Sequence, residues 1–261
     1  MPVGDLFRLD GRLALVTGAS SPIGGAICDA LAEAGARVVC AARNTAKAEL
    51  VARRIAGAGG EAVALPLDLA DEASIVALHR ETRARLGTVD ILVHNAMSQI
   101  PGHVERYARA DWEASMQVDG TGYFQMTQLY LNDMLAAGRG NIITIASILG
   151  VVALDARLYP TRGGLETFRP NYSYAKAGMV AYSRFLAANY AHRNIRINCL
   201  SPGGVETEET GPDAAPFSGR TPMGRFATPD EMKGPVVFLA SDASSYMTGQ
   251  NLIVDGGYTA W

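Results

Sequence analysis

Short β-rich runs alternate with helical stretches along the whole chain, and this alternation constrains the fold more than any other feature. Arg12–Thr17 reads as a first strand, followed by a glycine-containing turn and an apolar helix over Ile23–Ala34. Arg37–Ala41 is a second strand, Thr45–Ala58 a helix, Ala62–Leu67 a third strand, Glu72–Leu86 a helix and Val89–His94 a fourth strand. A long helix over Asp111–Ala136 leads to a strand-like run at Asn141–Ala146, and then to an alanine-rich helix that holds Tyr172 and Lys176. Ile195–Leu200 and Asn251–Val254 close the set, with a helix at Pro229–Ala240 between them. Strands that each hand over to a helix form βαβ units, which build a parallel sheet covered on both faces. There is no low-complexity linker and no internal repeat, so the expectation is α/β: one doubly wound domain over 1–261 with about seven parallel strands. The least regular stretches are Val151–Pro170 and Gly203–Arg225, and loops of that length in a compact domain are usually functional or mobile.

Composition narrows the function classes. A hydrophobic content of 48% over 261 residues supplies a sizeable core. The net charge is −3 with a pI near 5.8, and no block of Lys or Arg stands out, which argues against nucleic acid or an anionic membrane surface as partner. Cys28, Cys40 and Cys199 are far apart and lie in apolar segments, so buried free thiols are expected. No charged-then-apolar leader precedes the first strand and no apolar run approaches membrane-spanning length; a reducing cytoplasm fits. The histidines His79, His94, His103 and His192 have no metal-ligand spacing, and no metal site is expected.

Chemistry concentrates at two places. In Asn171-Tyr172-Ser173-Tyr174-Ala175-Lys176, the tyrosine and lysine lie one helical turn apart and share a face. A phenol ordinarily ionises near 10 and is a poor acid or base at neutral pH, but an ammonium beside it favours the phenolate. At the other place, Thr17-Gly18-Ala19-Ser20-Ser21-Pro22-Ile23-Gly24-Gly25 lies between the first strand and first helix. Glycines there let the backbone approach a pyrophosphate, and a following helix N-terminus favours its charge. The second strand ends Cys40-Ala41-Ala42-Arg43-Asn44, with no acid for a ribose diol. Arg43 suits a 2′-phosphate and favours NADP over NAD, or is a solvated arginine at a helix flank. Asp68, in Leu67-Asp68-Leu69, could accept from an adenine amino group or hold a turn.

With both places read, the chain resembles a short-chain dehydrogenase/reductase over essentially its whole length. Thr17-Gly18 through Gly24 is similar to the family's T-G-x-x-x-G-x-G loop, and His94-Asn95-Ala96 to its N-N-A-G motif. Ser147 matches the catalytic serine, Tyr172 and Lys176 match Y-x-x-x-K, and Ser201-Pro202-Gly203-Gly204 resembles the P-G turn by the nicotinamide. The ending Gly249-Gln250-Asn251 through Asp255-Gly256-Gly257 is also typical. The resemblance implies a Rossmann-like fold, with a cofactor-binding half over about 1–140 and a catalytic and substrate half over about 141–261. It implies hydride transfer at the nicotinamide, proton transfer by Tyr172, support from Lys176 and a hydrogen bond from Ser147 to the substrate oxygen. It also implies a cofactor lining of Gly18, Ser20, Ser21, Ile23, Gly24, Arg43, Asp68, Leu69, Asn95, Ala96, Tyr172, Lys176, Pro202, Gly203 and Val205.

Four departures from the family pattern carry information. Pro22 stands where a loop glycine is usual; it lacks an N–H, but its fixed φ suits a first helical turn. Met97 replaces the last glycine of N-N-A-G and should crowd the floor near the cofactor. Asp119 occupies the fourth catalytic position, usually asparagine, and adds charge while its backbone carbonyl can still serve a proton relay. Finally, Ser147 and Tyr172 stand 25 positions apart, further than is usual. The insertion, about 151–170, carries Arg157, Tyr159, Arg162, Glu166 and Arg169; its arginines could bind a carboxylate, a phosphate or dense hydroxyls, or it could be a surface loop or subunit contact.

The expected function is an NADP-preferring oxidoreductase (NAD possible) acting on a carbonyl or secondary alcohol of a small polar substrate: a keto-sugar, polyol or sugar acid. Substrate contacts are expected from Ser147, Arg157, Tyr159 and Arg162. The alternative within enzymes is a 3-oxoacyl-carrier-protein reductase, against which Glu206, Glu208, Glu209 and Asp213 would repel an acidic carrier. The alternative from another class is a non-catalytic NAD(P)-binding regulator. Apolar residues on second faces of two helices, with Tyr258-Thr259-Ala260-Trp261 at the end, lead us to expect a homotetramer.

Overall fold

The structure, a computed structural model, describes residues 1–158, 169–207, 210 and 214–261. Seven strands, β1 (Leu13–Thr17), β2 (Arg37–Ala42), β3 (Glu61–Pro66), β4 (Ile91–His94), β5 (Gly140–Ile145), β6 (Ile195–Pro202) and β7 (Asn251–Val254), form one sheet. Their order is β3-β2-β1-β4-β5-β6-β7, and every pairing is parallel. The helices are α1 (Val3–Leu6), α2 (Pro22–Glu33), α3 (Thr45–Gly57), α4 (Glu72–Arg85), α5 (Arg109–Met116), α6 (Tyr123–Ala137), α7 (Asn171–Tyr190), α8 (Ala214–Arg220) and α9 (Lys233–Ala240).

The strand sequences explain the layers. Along β1 every residue is buried, and alternate side chains enter opposite cores. Ala14 and Val16 join a core with Ile27 and Leu31 of α2, Ile55 of α3 and Val236 of α9. Leu13 and Leu15 join the other, with Leu78 of α4, Met126 and Tyr130 of α6 and Leu186 of α7. A strand apolar on both faces must lie between two helical layers, and the near-continuous apolar runs in the sequence record that. Helix starts follow local chemistry: Ser21 accepts from the Gly24 N–H at 3.0 Å with Pro22 at the first helical position, and Asn44 and Asp71 cap α3 and α4. After β3 the chain returns to the far side of β1, so the topological switch lies between β1 and β4. Ligand crevices of such sheets open outside the strands' C-terminal ends at that switch.

One expected element is divided. The stretch expected as a single helix over Asp111–Ala136 is α5, then a widened π-turn over Gln117–Gly122, then α6. Two contacts account for the break. Asp119 turns inward, 3% exposed, to meet hydrogen-bond donors from two other segments, and Gly122 packs on the Leu69 carbonyl oxygen, where a Cβ would stand 2.1 Å away. Periodicity alone does not register either contact. Similarly, the expected helix Pro229–Ala240 opens with a 3-10 turn over Pro229–Met232, and α8 lies inside the segment expected to be irregular. Other strand and helix limits move by one or two residues. Cys28, Cys40 and Cys199 are free and buried. Among the described residues no helix is long and apolar enough to cross a membrane.

Candidate functional site

The turn after β1 is tied to the loop after β4. Asn95 Nδ2 donates to the carbonyl oxygens of Thr17 (3.1 Å) and Gly18 (3.0 Å) and to Ser21 Oγ (3.2 Å). In return Thr17 Oγ1 accepts from the N–H groups of Asn95 (3.0 Å) and Ala96 (3.1 Å). This lattice holds Gly18, Ser20, Ser21, Ile23 and Gly24 in one tight turn with Ser20 and Ile23 half-buried. Pro22 brings no N–H, and Ser21 occupies that of Gly24. The Ile23 N–H, in the first helical turn, has no acceptor within the helix, the kind of donor that suits an anion.

At the end of β2, Asn44 accepts from the Lys47 N–H, while the exposed Arg43 guanidinium makes no hydrogen bond or ion pair with any described residue. A partnerless guanidinium at that strand end fits a 2′-phosphate, and no acid stands there to hold a ribose diol. Asp68 has a turn to hold: its Oδ1 accepts from the Ala70 N–H at 2.9 Å, and its own N–H donates to Ser74 Oγ. Leu69 is buried beneath the π-turn. On the far side, β6 runs out to Pro202, the Gly203 N–H donates to the Val254 carbonyl at 2.9 Å, and Val205 bridges Ala227.

The second cluster forms where β5 ends beside the start of α7. Lys176, 3% exposed, donates from Nζ to the Ile145 carbonyl oxygen at 2.6 Å, so an ammonium pins α7 to the sheet. The same Nζ stands 5.7 Å from the Tyr172 ring centroid. Ser147, 7% exposed, follows directly; its Oγ accepts from the Leu149 N–H at 3.1 Å, capping the turn Ile148–Gly150. That leaves its hydroxyl hydrogen free to donate. The turn lies directly on α7: a Cβ on Gly150 would come 2.9 Å from the Lys176 carbonyl carbon. Ser147, Tyr172 and Lys176 are thus gathered at the C-terminal edge of the sheet.

Asp119 is hydrogen-bonded to Asn171, the residue before Tyr172. Its Oδ1 accepts from the Ser98 N–H at 2.7 Å and its Oδ2 from Asn171 Nδ2 at 2.8 Å. Burial raises its carboxyl above the ordinary range, with Ser98, Lys176, Asn171 and Arg169 offsetting part of that. Asn171 is fully buried and its Oδ1 has no hydrogen-bond partner among the described residues. His94 is held neutral: burial takes it down to about 3, and Nε2 meets Thr127 Oγ1 at 3.0 Å.

The insertion residues separate. Arg157 is exposed and paired with Asp155 through Nε and Nη2, both at 2.8 Å, with no contact to Tyr172. Tyr159, Arg162 and Glu166 lie outside the described residues. Of the described insertion arginines, Arg169 is the one beside Tyr172, its guanidinium carbon 5.0 Å from the ring centroid. Sequence reasoning did not single out Thr17, Ser98 or Asn171. Asn171 had one available signal, a polar amide immediately before the tyrosine at a helix start.

The profile of a family described as enoyl-(acyl carrier protein) reductase matches residues 18–259. D-threitol dehydrogenase of Mycolicibacterium smegmatis is 38% identical over 258 residues, 97% of this chain and 95% of that protein. The 3-oxoacyl-[acyl-carrier-protein] reductase of Escherichia coli K12 is 34% identical over 254 residues, 96% of this chain and 98% of that one. Among solved structures, a gluconate 5-dehydrogenase from Burkholderia cenocepacia J2315 in complex with NADP and tartrate matches with a TM-score of 0.89 at 36% identity, covering 100% of both chains. Sheet order and relatives alike define an NAD(P)-dependent oxidoreductase. The chain belongs to the short-chain dehydrogenase/reductase family.

Proposed function

We propose that this protein is an NADP-preferring oxidoreductase that moves a hydride between the nicotinamide and a carbonyl or secondary-alcohol carbon of a polyol, keto-sugar or sugar acid. The observation that carries the reading is the Tyr172–Lys176 pair, with Lys176 anchored to Ile145 beside Ser147. The named activities of the threitol and gluconate dehydrogenases support the substrate class, and the NADP in the gluconate enzyme supports the cofactor.

When bound, the cofactor supplies or accepts the hydride. The chain's own residues do the rest. Gly18, Ser20, Ser21, Ile23, Gly24 and Asn95 form the pyrophosphate turn, Arg43 meets the 2′-phosphate, and Asp68 and Leu69 border the adenine. Ala96, Pro202, Gly203 and Val205 line the nicotinamide end. In reduction, Tyr172 Oη gives its proton to the carbonyl oxygen and Ser147 donates a hydrogen bond to that oxygen as negative charge develops. The buried Lys176 ammonium, 5.7 Å from the ring centroid, stands near the negative charge left on Tyr172. In oxidation the proton moves the other way.

The test is an NADP(H)- and NAD(H)-linked screen over alditols, aldonates, keto-sugars and oxoacyl thioesters, with Tyr172→Phe alongside. Turnover should vanish in Tyr172→Phe while NADPH binding persists. Retention of more than about a tenth of kcat, under about 1.4 kcal/mol of barrier, would remove Tyr172 from the role. Activity confined to oxoacyl thioesters would favour a 3-oxoacyl-carrier-protein reductase, the reading that the Escherichia coli relative supports. Cofactor binding without turnover on any carbonyl would favour a regulator. The same proposal includes one domain over 1–261, a cytoplasmic setting compatible with three buried thiols, and a homotetramer. For the last, Phe124 and Phe185 are 45% and 59% exposed, and Tyr182 stacks on Phe185 at 6.1 Å, an aromatic strip suited to a twofold contact.

A further inference from the structure

Arg169 is a cation beside Tyr172 that forms no ion pair with any described residue. It stands three residues before Tyr172, half-buried, with its guanidinium over the tyrosine ring. Nη1 carries all its hydrogen bonds: it donates to the Ser98 carbonyl oxygen at 3.3 Å and to Gln99 Oε1, and lies 3.8 Å from Met97 Sδ. Those partners are neutral. No carboxylate of a described residue comes within ion-pair distance, and Nε and Nη2 make no hydrogen bond with the described residues. Several other arginines are ion-paired, Arg54 with Asp29, Arg157 with Asp155 and Arg225 with Glu231, whereas Arg196, with only neutral partners among the described residues, uses both terminal nitrogens in four hydrogen bonds. The nearby Asp119 acts on it electrostatically but forms no ion pair with it, its oxygens accepting from Ser98 and Asn171.

A half-buried guanidinium held through one nitrogen presents the rest of its fork already oriented, which is the geometry that receives a carboxylate through two parallel hydrogen bonds. The Tyr172 ring and Met97 shield it from water, and shielding strengthens such a pair. The reacting oxygen must reach Tyr172 Oη, on the ring over which the Arg169 guanidinium stands. We propose that Arg169 is a specificity-determining residue that binds a substrate carboxylate, so that within the polyhydroxy class this enzyme takes acids, aldonates and their keto forms, in preference to neutral alditols. The proposal rests on the function proposed above and narrows it.

A structural latch is the competing account, in which Arg169 only ties Met97–Gln99 to the start of α7. Matched substrates separate the two. The ratio of kcat/KM for D-gluconate over that for D-glucitol is measured in the wild type, Arg169→Gln and Arg169→Lys. The wild type should favour the acid at least tenfold. Arg169→Gln should lower the ratio at least tenfold, and Arg169→Lys, which keeps charge but loses the fork, should lie between. A wild type that favours the alditol, or a Gln variant in which both values fall together, overturns the proposal. Binding of D-gluconate to the enzyme–NADPH complex, followed by cofactor fluorescence, gives a readout independent of turnover. If neither polyhydroxy compound is turned over, the functional reading fails by itself. Arg169 is then judged by that binding, which should weaken at least tenfold in Arg169→Gln; an equal Kd in both proteins refutes it.

Discussion

Asp119 is the buried anion that joins the loop after β4 to the start of α7, and removing its oxygens should cost several kcal/mol. It accepts from the Ser98 N–H and from Asn171 Nδ2, donors on residues 5% and 0% exposed. Asp119→Ala strands both. Each stranded buried donor costs about 1–3 kcal/mol, so the loss should be about 4 kcal/mol. That is a large share of the roughly 5–15 kcal/mol typical of a folded domain. Asp119→Asn should behave differently. Its amide oxygen can keep Ser98, and its Nδ2 can donate to Asn171 Oδ1, which has no hydrogen-bond partner among the described residues, once the Asn171 amide turns over. It also removes a charge whose burial raises the carboxyl above its ordinary range. The folded state therefore holds that proton more tightly than the unfolded chain does. The carboxylate subtracts stability above its folded-state pKa, and this penalty disappears as pH falls through the folded value to the unfolded one. Asp119→Asn should thus match the wild type within about 1 kcal/mol at pH 7, or exceed it, and any advantage should shrink on acidification. Urea denaturation at fixed protein concentration, followed by circular dichroism from pH 8 downward, measures this. An Asp119→Ala loss under about 1 kcal/mol, or an Asn variant as unstable as the Ala variant, would refute the bridging role.

Three further outcomes follow from other contacts. Arg43→Ala should raise KM for NADPH more than for NADH; equal use of both by the wild type, with no effect of the substitution, would make Arg43 a solvated surface group. Gly122→Ala sets a Cβ 2.1 Å from the Leu69 carbonyl oxygen, so α6 must shift, and a loss of about 3 kcal/mol is expected in the same urea assay. Phe185→Glu should break a tetramer to a smaller species in light scattering. A wild type that is monomeric at micromolar concentration would refute the interface itself.

Much of the fold was legible because the two-sided burial of β1, β4 and β5 leaves apolar runs such as Leu13–Val16 and Ile142–Ile145 that admit no other layer. Helix starts were legible where the signal is local, as at Pro22 and Thr45. The π-turn was not legible. Its causes, the Leu69 carbonyl under Gly122 and the Ser98 N–H opposite Asp119, come from segments 53 and 21 residues away in sequence. Val3–Leu6 and Ala214–Arg220 lack enough turns to display a period.

The site divides along the same line. Tyr172, Lys176 and Ser147 were readable because short spacing and strand ends fix them, and Lys176 is further fixed by one long-range acceptor, Ile145. The electrostatics behind them were not readable. Which of the described insertion arginines is ion-paired depends on neighbours: Arg157 has Asp155 two residues away, whereas the hydrogen bonds of Arg169 to described residues go to a carbonyl, an amide and a thioether. Asp119 and Arg169 then share one scaffold, since Ser98 gives its N–H to the first and its carbonyl to the second. A single peptide segment therefore couples the buried Asp119 to the cation over the Tyr172 ring. A change at Asp119 that moves Ser98 should accordingly alter discrimination between acidic and neutral substrates, even though Asp119 makes no hydrogen bond to the tyrosine.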